Sequence, residues 1–570
     1  MSATPLKYQT PNLENCDQEP IHIIGNIQSI GYLLVLERKG LEIVQASENI
    51  IELLEVPAHE LVGNCIEYYF PYSFLEYVNN LAKNEHLDDL HSLSFELRKS
   101  PYLLTVHQSD GYWVLEIEKD DPKQRDHSFF HYSDLVENIL SEIREYDSIE
   151  EMSQKVIAKV KEITRFNRLM VYRFDEEGHG EVIAEEKEED LPPYLGLKFP
   201  NTDIPAQARK LYLKSRTRGI YDVDDTSSAI YPPVRKQDGK PLDMTNSFLR
   251  SVSPMHIQYL KNMGVKASFS ISIVLKDKLW GMILCHHTEA PVRLNLYQRR
   301  ACQFIGRMFS HRVEAKLFDQ QFKGFRDRLK TAQTLVNTLM ATSDLHHTLD
   351  MNTPRLLSAF HADYYALQFE GQLSTSHPSL RKDWVSNLIR EISVRGGGIQ
   401  HTTNIFEDFK LSSHEAVDPA GMLSIQLSKE MDEYLILFRK PQHQKIEWAG
   451  KPIDKASSDG TQSLAPRHSF EAWTEVIRNR AFKWEPDELQ FGKELRMQLI
   501  QNIITVFQGK ERSTTSTSHI QLNSRLLERI AELEEKNRTL SDNLKGLEKS
   551  EAEGRIAKDI AEERNRIKPV

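Results

Sequence analysis

The chain has 570 residues, 39% of them hydrophobic, and a net charge of −11. That length makes room for three or four domains with cores of their own, and the acidic balance excludes nucleic acid as the main partner. Four cysteines without CxxC or metal-ligand spacing exclude a disulfide framework. No apolar run reaches the ~18–20 residues that a membrane span needs. The N-terminal MSATPLKYQTPN lacks the apolar core of a signal peptide. The expectation is a cytoplasmic protein with no membrane partner.

Cys16 sits in a polar N-terminal arm, residues 1–20, just ahead of IHIIGNIQSIG. Glu14, Asp17 and Glu19 surround it, a setting that disfavours the thiolate a catalytic or redox cysteine needs. Residues 21–125 have a mixed pattern. YLLVLE reads as a buried strand, EIVQASENIIELLE as a strand then a helix, and YLLTVHQSDGYWVLEIE as two strands about a Ser-Asp-Gly turn. This is a small sensor-type domain, and DDPKQRDHS is a polar linker.

A second mixed domain covers 126–316. RLMVYRF, GEVIAEE, SFSISIVL and LWGMILCHH read as its strands. IPAQARKLYLKS and SPMHIQYLKNMG read as helices, each with proline near its start. Residues 221–246 read as a long irregular insertion. From 296 to about 341 a single helix is expected, with Phe318, Phe322, Phe325, Leu329, Ala332, Val336 and Leu339 at heptad spacing. That stripe suits a partner helix; the alternative is packing on its own domain. A third domain spans 317–508. Within it Trp448 to Trp484, about 446–486, is poorly periodic and reads as a long protruding loop.

Residues 509–570 carry the clearest periodicity. Ile530, Leu533, Asn537, Leu540, Leu544 and Leu547 alternate by three and four, with Asn537 at an a position. A buried asparagine there favours a parallel two-stranded coil, hence a homodimer. Past Ser550 the seam slips, at Ile556, Ile560 and Ile567.

No GxGxxG, P-loop, HExxH or GxSxG occurs in a convincing context. RGGGI at 395–399 is a turn. His286 and His287 are neighbours on a strand, so only one can face a given pocket, and a two-histidine metal site is not expected. In FPNTDIPAQARKLY, Asp203 precedes a helix with Pro205 in its first turn, and local rules make it an N-cap or first-turn acid. FLRSVSPMHIQYLKNMGVKASFSI brings Arg250, Ser253, His256 and Tyr259 together, with Ser268 and Ser270 on one face of the next strand. Such a set suits a carboxylate-bearing ligand, with Tyr172, Phe199 and Tyr212 as aromatic walls.

At these residues the chain resembles the bacteriophytochromes, bilin-binding photoreceptors with a PAS–GAF–PHY photosensory core. The resemblance rests on the cysteine before IHIIGNIQSIG, and on FPNTDIPAQAR, SPMHIQYLKNMGVKAS, LWGMILCHH and LAPRHSFEAW, in order over about 510 residues. It implies an α+β multidomain fold of PAS, GAF and PHY domains, each an antiparallel sheet with flanking helices, joined by long helices. It also implies a figure-of-eight knot in which the arm, with Ile27 inside, threads the insertion of the second domain.

The resemblance further implies biliverdin IXα, joined by a thioether to Cys16. Relatives that attach other bilins use a cysteine beside the pocket histidine, where Met255 stands here. Asp203, with Ile204 and Pro205, would face the pyrrole nitrogens together with His256. Arg218 and Arg250 would pair with the two propionates, helped by Tyr212, Ser253, Tyr259, Ser268 and Ser270. Tyr172, Phe199 and His286 would surround the D ring. Pro466, Arg467 and Ser469 would come from the tongue of the third domain, with Trp448 and Trp473 on its two arms. Family outputs are commonly histidine kinases, but no phosphoacceptor helix or ATP-binding motif is found, so no enzymatic activity is assigned. A chromophore-free GAF/PAS ligand sensor would need neither Cys16 nor the tongue motif.

Overall fold

A computed structural model describes residues 19–83, 91–120, 142, 146–378, 380–409, 419–450 and 470–509. Cys16, Pro466, Arg467, Ser469 and the heptads from Ile530 onward lie outside the described residues. Two compact units result, one of residues 1–313 with 447–474, the other of 314–446 with 475–570.

The first unit holds two sheets. In the N-terminal sheet every pairing is antiparallel, in the order Asn26–Ile27, Ser228–Tyr231, Ile43–Ser47, Gly31–Leu36, Tyr112–Lys119, Ser100–Ser109 and His91–Leu97. Asp110 and Gly111, both at positive φ, make the expected turn. One face packs Leu34, Leu104, Leu115 and Ile117 on the helical segments that carry Leu53, Leu61, Phe74 and Val78. Ser228–Tyr231 belongs to the insertion read as irregular. A four-residue strand is too short to leave a periodic mark in sequence.

The arm is fastened on one side to that insertion and on the other to the segment that follows it. Asn26 and Ile27 pair with Ala229 and Ser228, while Ile27 bridges Arg250 and the Gln28 amide donates to the Leu249 carbonyl at 2.7 Å. Ile27 is fully buried among Leu33, Val35, Ile230, Met244 and Leu249.

The second sheet runs Thr217–Ile220, Ala267–Leu275, Lys278–His287, Arg168–Phe174, Gly180–Lys187 and Lys198–Phe199, again antiparallel. Trp448 meets its edge in parallel, at Lys198. Ile149–Thr164 covers one face with Met152, Val156, Ile157 and Val160. Its Ser148 accepts from the Glu151 amide at 3.1 Å, a cap written in the Ser-x-x-Glu spacing.

The second unit is a five-stranded antiparallel sheet, in the order Gln372–Thr375, Tyr364–Phe369, Glu433–Arg439, Gly421–Ser428 and Ile399–Thr402. Alternation sends Tyr365, Leu367, Leu435 and Leu437 to one core and Tyr364, Ala366, Tyr434 and Ile436 to another. Leu296–Thr342 is one helix, as expected. Its Ala332, Val336 and Leu339 are buried within this unit, so for that part of the stripe packing on its own domain accounts for the spacing. The segment expected to be a loop, about 446–486, contains the strand Ala472–Arg480 and the end of the strand Gln442–Ala449. Turn-rich composition between them masked the strand pattern at both ends. RGGGI is a turn, with Gly396 and Gly397 at positive φ after the helix Lys382–Arg395. Among the described residues, no helix is long and apolar enough to cross a membrane.

Candidate functional site

Strand alternation aims the second sheet. Ser268 stands opposite His286 and Ser270 opposite Leu284, and Leu284 and Met282 stand opposite Met170 and Tyr172 on the next strand. Residues two apart share a face, so serine, histidine and aromatic groups line one side while Phe269, Ile271, Ile283 and Cys285 are buried on the other. His287 goes with that other side, its ring 6.1 Å from Phe166. Of this pair, His286 alone therefore faces the site, as strand alternation implies.

The floor of the site is apolar. Met170, Tyr172, Val182, Tyr194, Leu197 and Phe199 are buried together, with Ile204, Met263, Leu284 and Phe470 packed on them. The Tyr172 and Phe199 rings lie 5.8 Å apart. Gly180 opens this floor, because a Cβ there would fall 1.7 Å from the Tyr172 ring. No motif marks Gly180; a glycine at the start of a strand is the only hint of close approach. Gly180→Ala should displace the Tyr172 ring. If the site holds a pigment, its absorption band should broaden and shift, which a spectrum of the reconstituted variant reads directly.

The helix Pro254–Asn262 forms the opposite wall. Ser253 caps it, accepting from the Met255 amide at 3.3 Å, and Pro254 opens its first turn. His256 and Tyr259, one turn apart, stack at 6.0 Å. The Tyr259 hydroxyl donates to Asp203 Oδ2 at 3.0 Å, and its ring meets Phe470 edge-on at 5.3 Å. Asp203 neither caps nor enters its helix, contrary to local rules. The helix begins at Ala206 with Pro205 as N-cap in extended backbone, which leaves the acid in the preceding turn, facing Tyr259.

Arg218 and Arg250 come together from Thr217–Ile220 and from the segment that follows the insertion. Both are buried, and neither has an ion-pair partner among the described residues. Arg218 Nη1 donates to the Phe248 carbonyl at 3.1 Å and Nη2 to those of Arg250 and Ser251. Arg250 donates through Nη1 to the Ile21 carbonyl at 3.2 Å, while its Nε has no protein partner among the described residues. Burial pushes Arg218 down to about 10 and, with Arg218 beside it, Arg250 down to about 9. Tyr212 acts on both electrostatically, and its carbonyl accepts from Ser272 at 2.9 Å. Ser270 donates to the Arg218 carbonyl at 3.4 Å. Ser268 is buried beside them. The two guanidiniums are thus unequal: Arg218 is occupied by backbone, and Arg250 keeps a free donor.

Burial lowers the His256 imidazole to about 4, with Arg218 adding to the effect. His286, only 6% exposed, is lowered to about 3 by burial, then by Arg168 and His256, and its Nδ1 has no partner among the described residues. A folded-state value below the ordinary 6.5 means the unfolded chain takes the proton first. The stability due to neutral His286 is full above pH 6.5 and is lost as pH falls toward 3. Relative to His286→Gln, the apoprotein should lose about 2–3 kcal/mol between pH 7 and pH 4.5. Urea unfolding of both proteins at the two pH values measures it.

Trp448, buried, sets its ring 5.2 Å from His179 at the sheet edge, and Trp473 is half-buried. Ser253 donates to Glu19 Oε2 at 3.0 Å, so the arm reaches the site at its first described residue. Of the expected site residues of the second domain, the structure joins Asp203 to Tyr259 and Tyr259 to His256, Tyr172 to Phe199, and Arg218 to Ser270 and Arg250, and sets Ser268 opposite His286.

Family models match along most of the chain: the PAS fold over residues 16–120, the GAF domain over 148–317 and the phytochrome region over 328–507. A bacteriophytochrome of Xanthomonas campestris is 33% identical over 85% of this chain and 78% of its own length. Cyanobacterial phytochrome B of Nostoc is 33% identical, over 86% of this chain and 66% of that one. Among solved structures, the bacteriophytochrome from R. palustris superposes with a TM-score of 0.74 at 28% identity, covering 86% of this chain and 99% of that one. The Stigmatella aurantiaca phytochrome photosensory core module gives 0.72 at 30% identity, over 89% and 100%. The chain thus spans about two thirds of the length of the cyanobacterial relative.

Proposed function

The chain belongs to the phytochrome family, with PAS, GAF and PHY domains, and from that premise we propose that it is a red/far-red photoreceptor carrying biliverdin IXα on Cys16. One observation carries the proposal. Among the described residues, two buried guanidiniums have no carboxylate partner and His286 Nδ1 has no partner, on the sheet face whose floor is aromatic and aliphatic. Those are the needs of a flat apolar ligand with anionic arms. When bound, the bilin supplies light absorption and Z/E isomerisation of its C15=C16 double bond.

The residues divide the remaining work. Arg250 would hold one propionate through its free donor, and Arg218, once released from backbone carbonyls, the other. Asp203 would keep an acceptor at the pyrrole nitrogens, with Tyr259 orienting its carboxylate and neutral His256 beside it. Tyr172, Phe199 and His286 would restrain the end of the pigment that turns. Glu19 bonded to Ser253 supports attachment at Cys16, since three residues reach at most ~10 Å. The arm contacts on both sides of Ile27 support the knotted reading.

Arg467 and Ser469 of the tongue would exchange at Asp203 between the two states. A strand-to-helix change in the tongue would shorten it, at ~1.5 Å per residue against ~3.3 Å, and pull on the long helices. A parallel homodimer, joined by the heptads around Asn537, would pass that strain to an output such as a histidine kinase in the cytoplasm. Purified apoprotein mixed with biliverdin should acquire a band near ~700 nm, where a bound bilin with extended conjugation absorbs, and should convert reversibly under red and far-red light. Protein that stays colourless, or colours but ignores red light, overturns the proposal.

A further inference from the structure

The N-terminal sheet sends one acid into the seat of the arginines. Glu116, on Tyr112–Lys119, is 1% exposed and accepts two backbone bonds from the segment after the insertion, Phe248 N–H to Oε2 at 3.0 Å and Leu249 N–H to Oε1 at 2.7 Å. The next residue is Arg250. The carbonyls that accept from Arg218 belong to Phe248, Arg250 and Ser251, the same four-residue stretch. Gln28 of the arm holds it from another direction, its backbone amide donating to the Leu249 carbonyl at 2.7 Å and its side chain to the Arg250 carbonyl at 3.5 Å. A carboxylate accepting two adjacent amides fixes both peptide planes, because the paired oxygens leave no rotation about the contact.

The surroundings of Glu116 isolate that contact. His107 Nδ1 stands 3.9 Å away, and the other nitrogen of that ring is 3.2 Å from Ser247 Oγ. Glu118, two residues on, is satisfied by Arg299 at 2.9 Å. Arg218 and Arg250 both feel the charge of Glu116 without pairing to it.

We propose that Glu116 is a positioning residue of the GAF pigment site: by clamping the amides of Phe248 and Leu249 it sets, from the neighbouring PAS sheet, where Arg250 and Arg218 present their guanidiniums to the propionates. This rests on the photoreceptor reading and adds to it a specificity determinant outside the pigment-binding domain. Nothing in the sequence places Glu116 there, since it lies 133 positions from Leu249.

The test compares assembly rates of apoprotein with biliverdin and with its dimethyl ester, in which the propionate charges are removed. Assays run at pH 8, above the value of about 7 to which burial lifts the Glu116 carboxyl. Wild type should prefer the free acid. Glu116→Gln keeps shape but turns a donor toward one amide, and should cut that preference by about tenfold or more, the loss expected for one charge-assisted bond. Glu116→Asp keeps the charge, cannot reach both amides, and should lose the preference too. Leu115→Ala, which opens the PAS core on the other face of the strand, should lower thermal stability but leave the preference intact. A wild type that takes up no pigment overturns the photoreceptor reading itself. A wild type that discriminates, with Glu116→Gln or Glu116→Asp discriminating equally, overturns the role of Glu116 alone.

Discussion

Asp203→Ala protein should still take up biliverdin covalently, yet fail to hold a far-red-absorbing state. Asp203 lies in the turn before Ala206–Lys214 and supplies no atom to the thioether, so attachment is not expected to depend on it. Its carboxylate is the acceptor for the Tyr259 hydroxyl, and by the proposal also for the tongue. Removing it leaves a hydroxyl half-buried beside His256 and Phe470 without that acceptor. A hydrogen bond to a charged group contributes about 1.5–3 kcal/mol. Losing ~2 kcal/mol from one of two photostates shifts their balance by a factor of about 30. Dark spectra after saturating red light should show less than about a tenth of the wild-type far-red band; a band of wild-type height and lifetime excludes the role given to Asp203.

Cys16→Ser should abolish covalent attachment altogether. A thioether survives denaturation and a pocket does not, so fluorescence of the zinc complex on a denaturing gel should vanish in the variant. Serine cannot replace the thiol, because its hydroxyl is a far weaker nucleophile at neutral pH. The Arg250, Arg218 and aromatic contacts remain, so coloured, noncovalently bound protein is expected before denaturation. Fluorescence persisting in Cys16→Ser would move the attachment to another cysteine. Cys285 and Cys302 are buried, with thiols pushed upward by burial, and are poor substitutes.

Some of this was legible because it is local. Strand alternation puts Ser268 and Ser270 on one face of SFSISIVL and His286 and His287 on opposite faces of LWGMILCHH, and the register sets His286 opposite Ser268. The helix of SPMHIQYLKNMG showed in its proline and its period, and Ser253 does cap it. Other features misled for equally local reasons. Asp203 looks like a helix cap because capping rules see only neighbours, not Tyr259 fifty-six positions away. The strands at Gln442–Ala449 and Ala472–Arg480 were hidden by the turn-rich stretch between them. The heptad spacing of Ala332, Val336 and Leu339 is the same for a partner helix and for a core, and burial settles it for the core.

The sequence by itself determined the kinds of element, their order, the family and the residue types available to a pigment site, since each of these is carried by periodicity or by contiguous motifs. Only the tertiary structure decided which atoms are spent and which are free. Arg218 is tied to backbone carbonyls while Arg250 keeps its Nε, Gly180 makes room for a tyrosine ring, and an acid of one sheet clamps the loop of another. Those outcomes depend on contacts between residues far apart in the chain, where no pattern repeats and only packing brings the partners within hydrogen-bond reach.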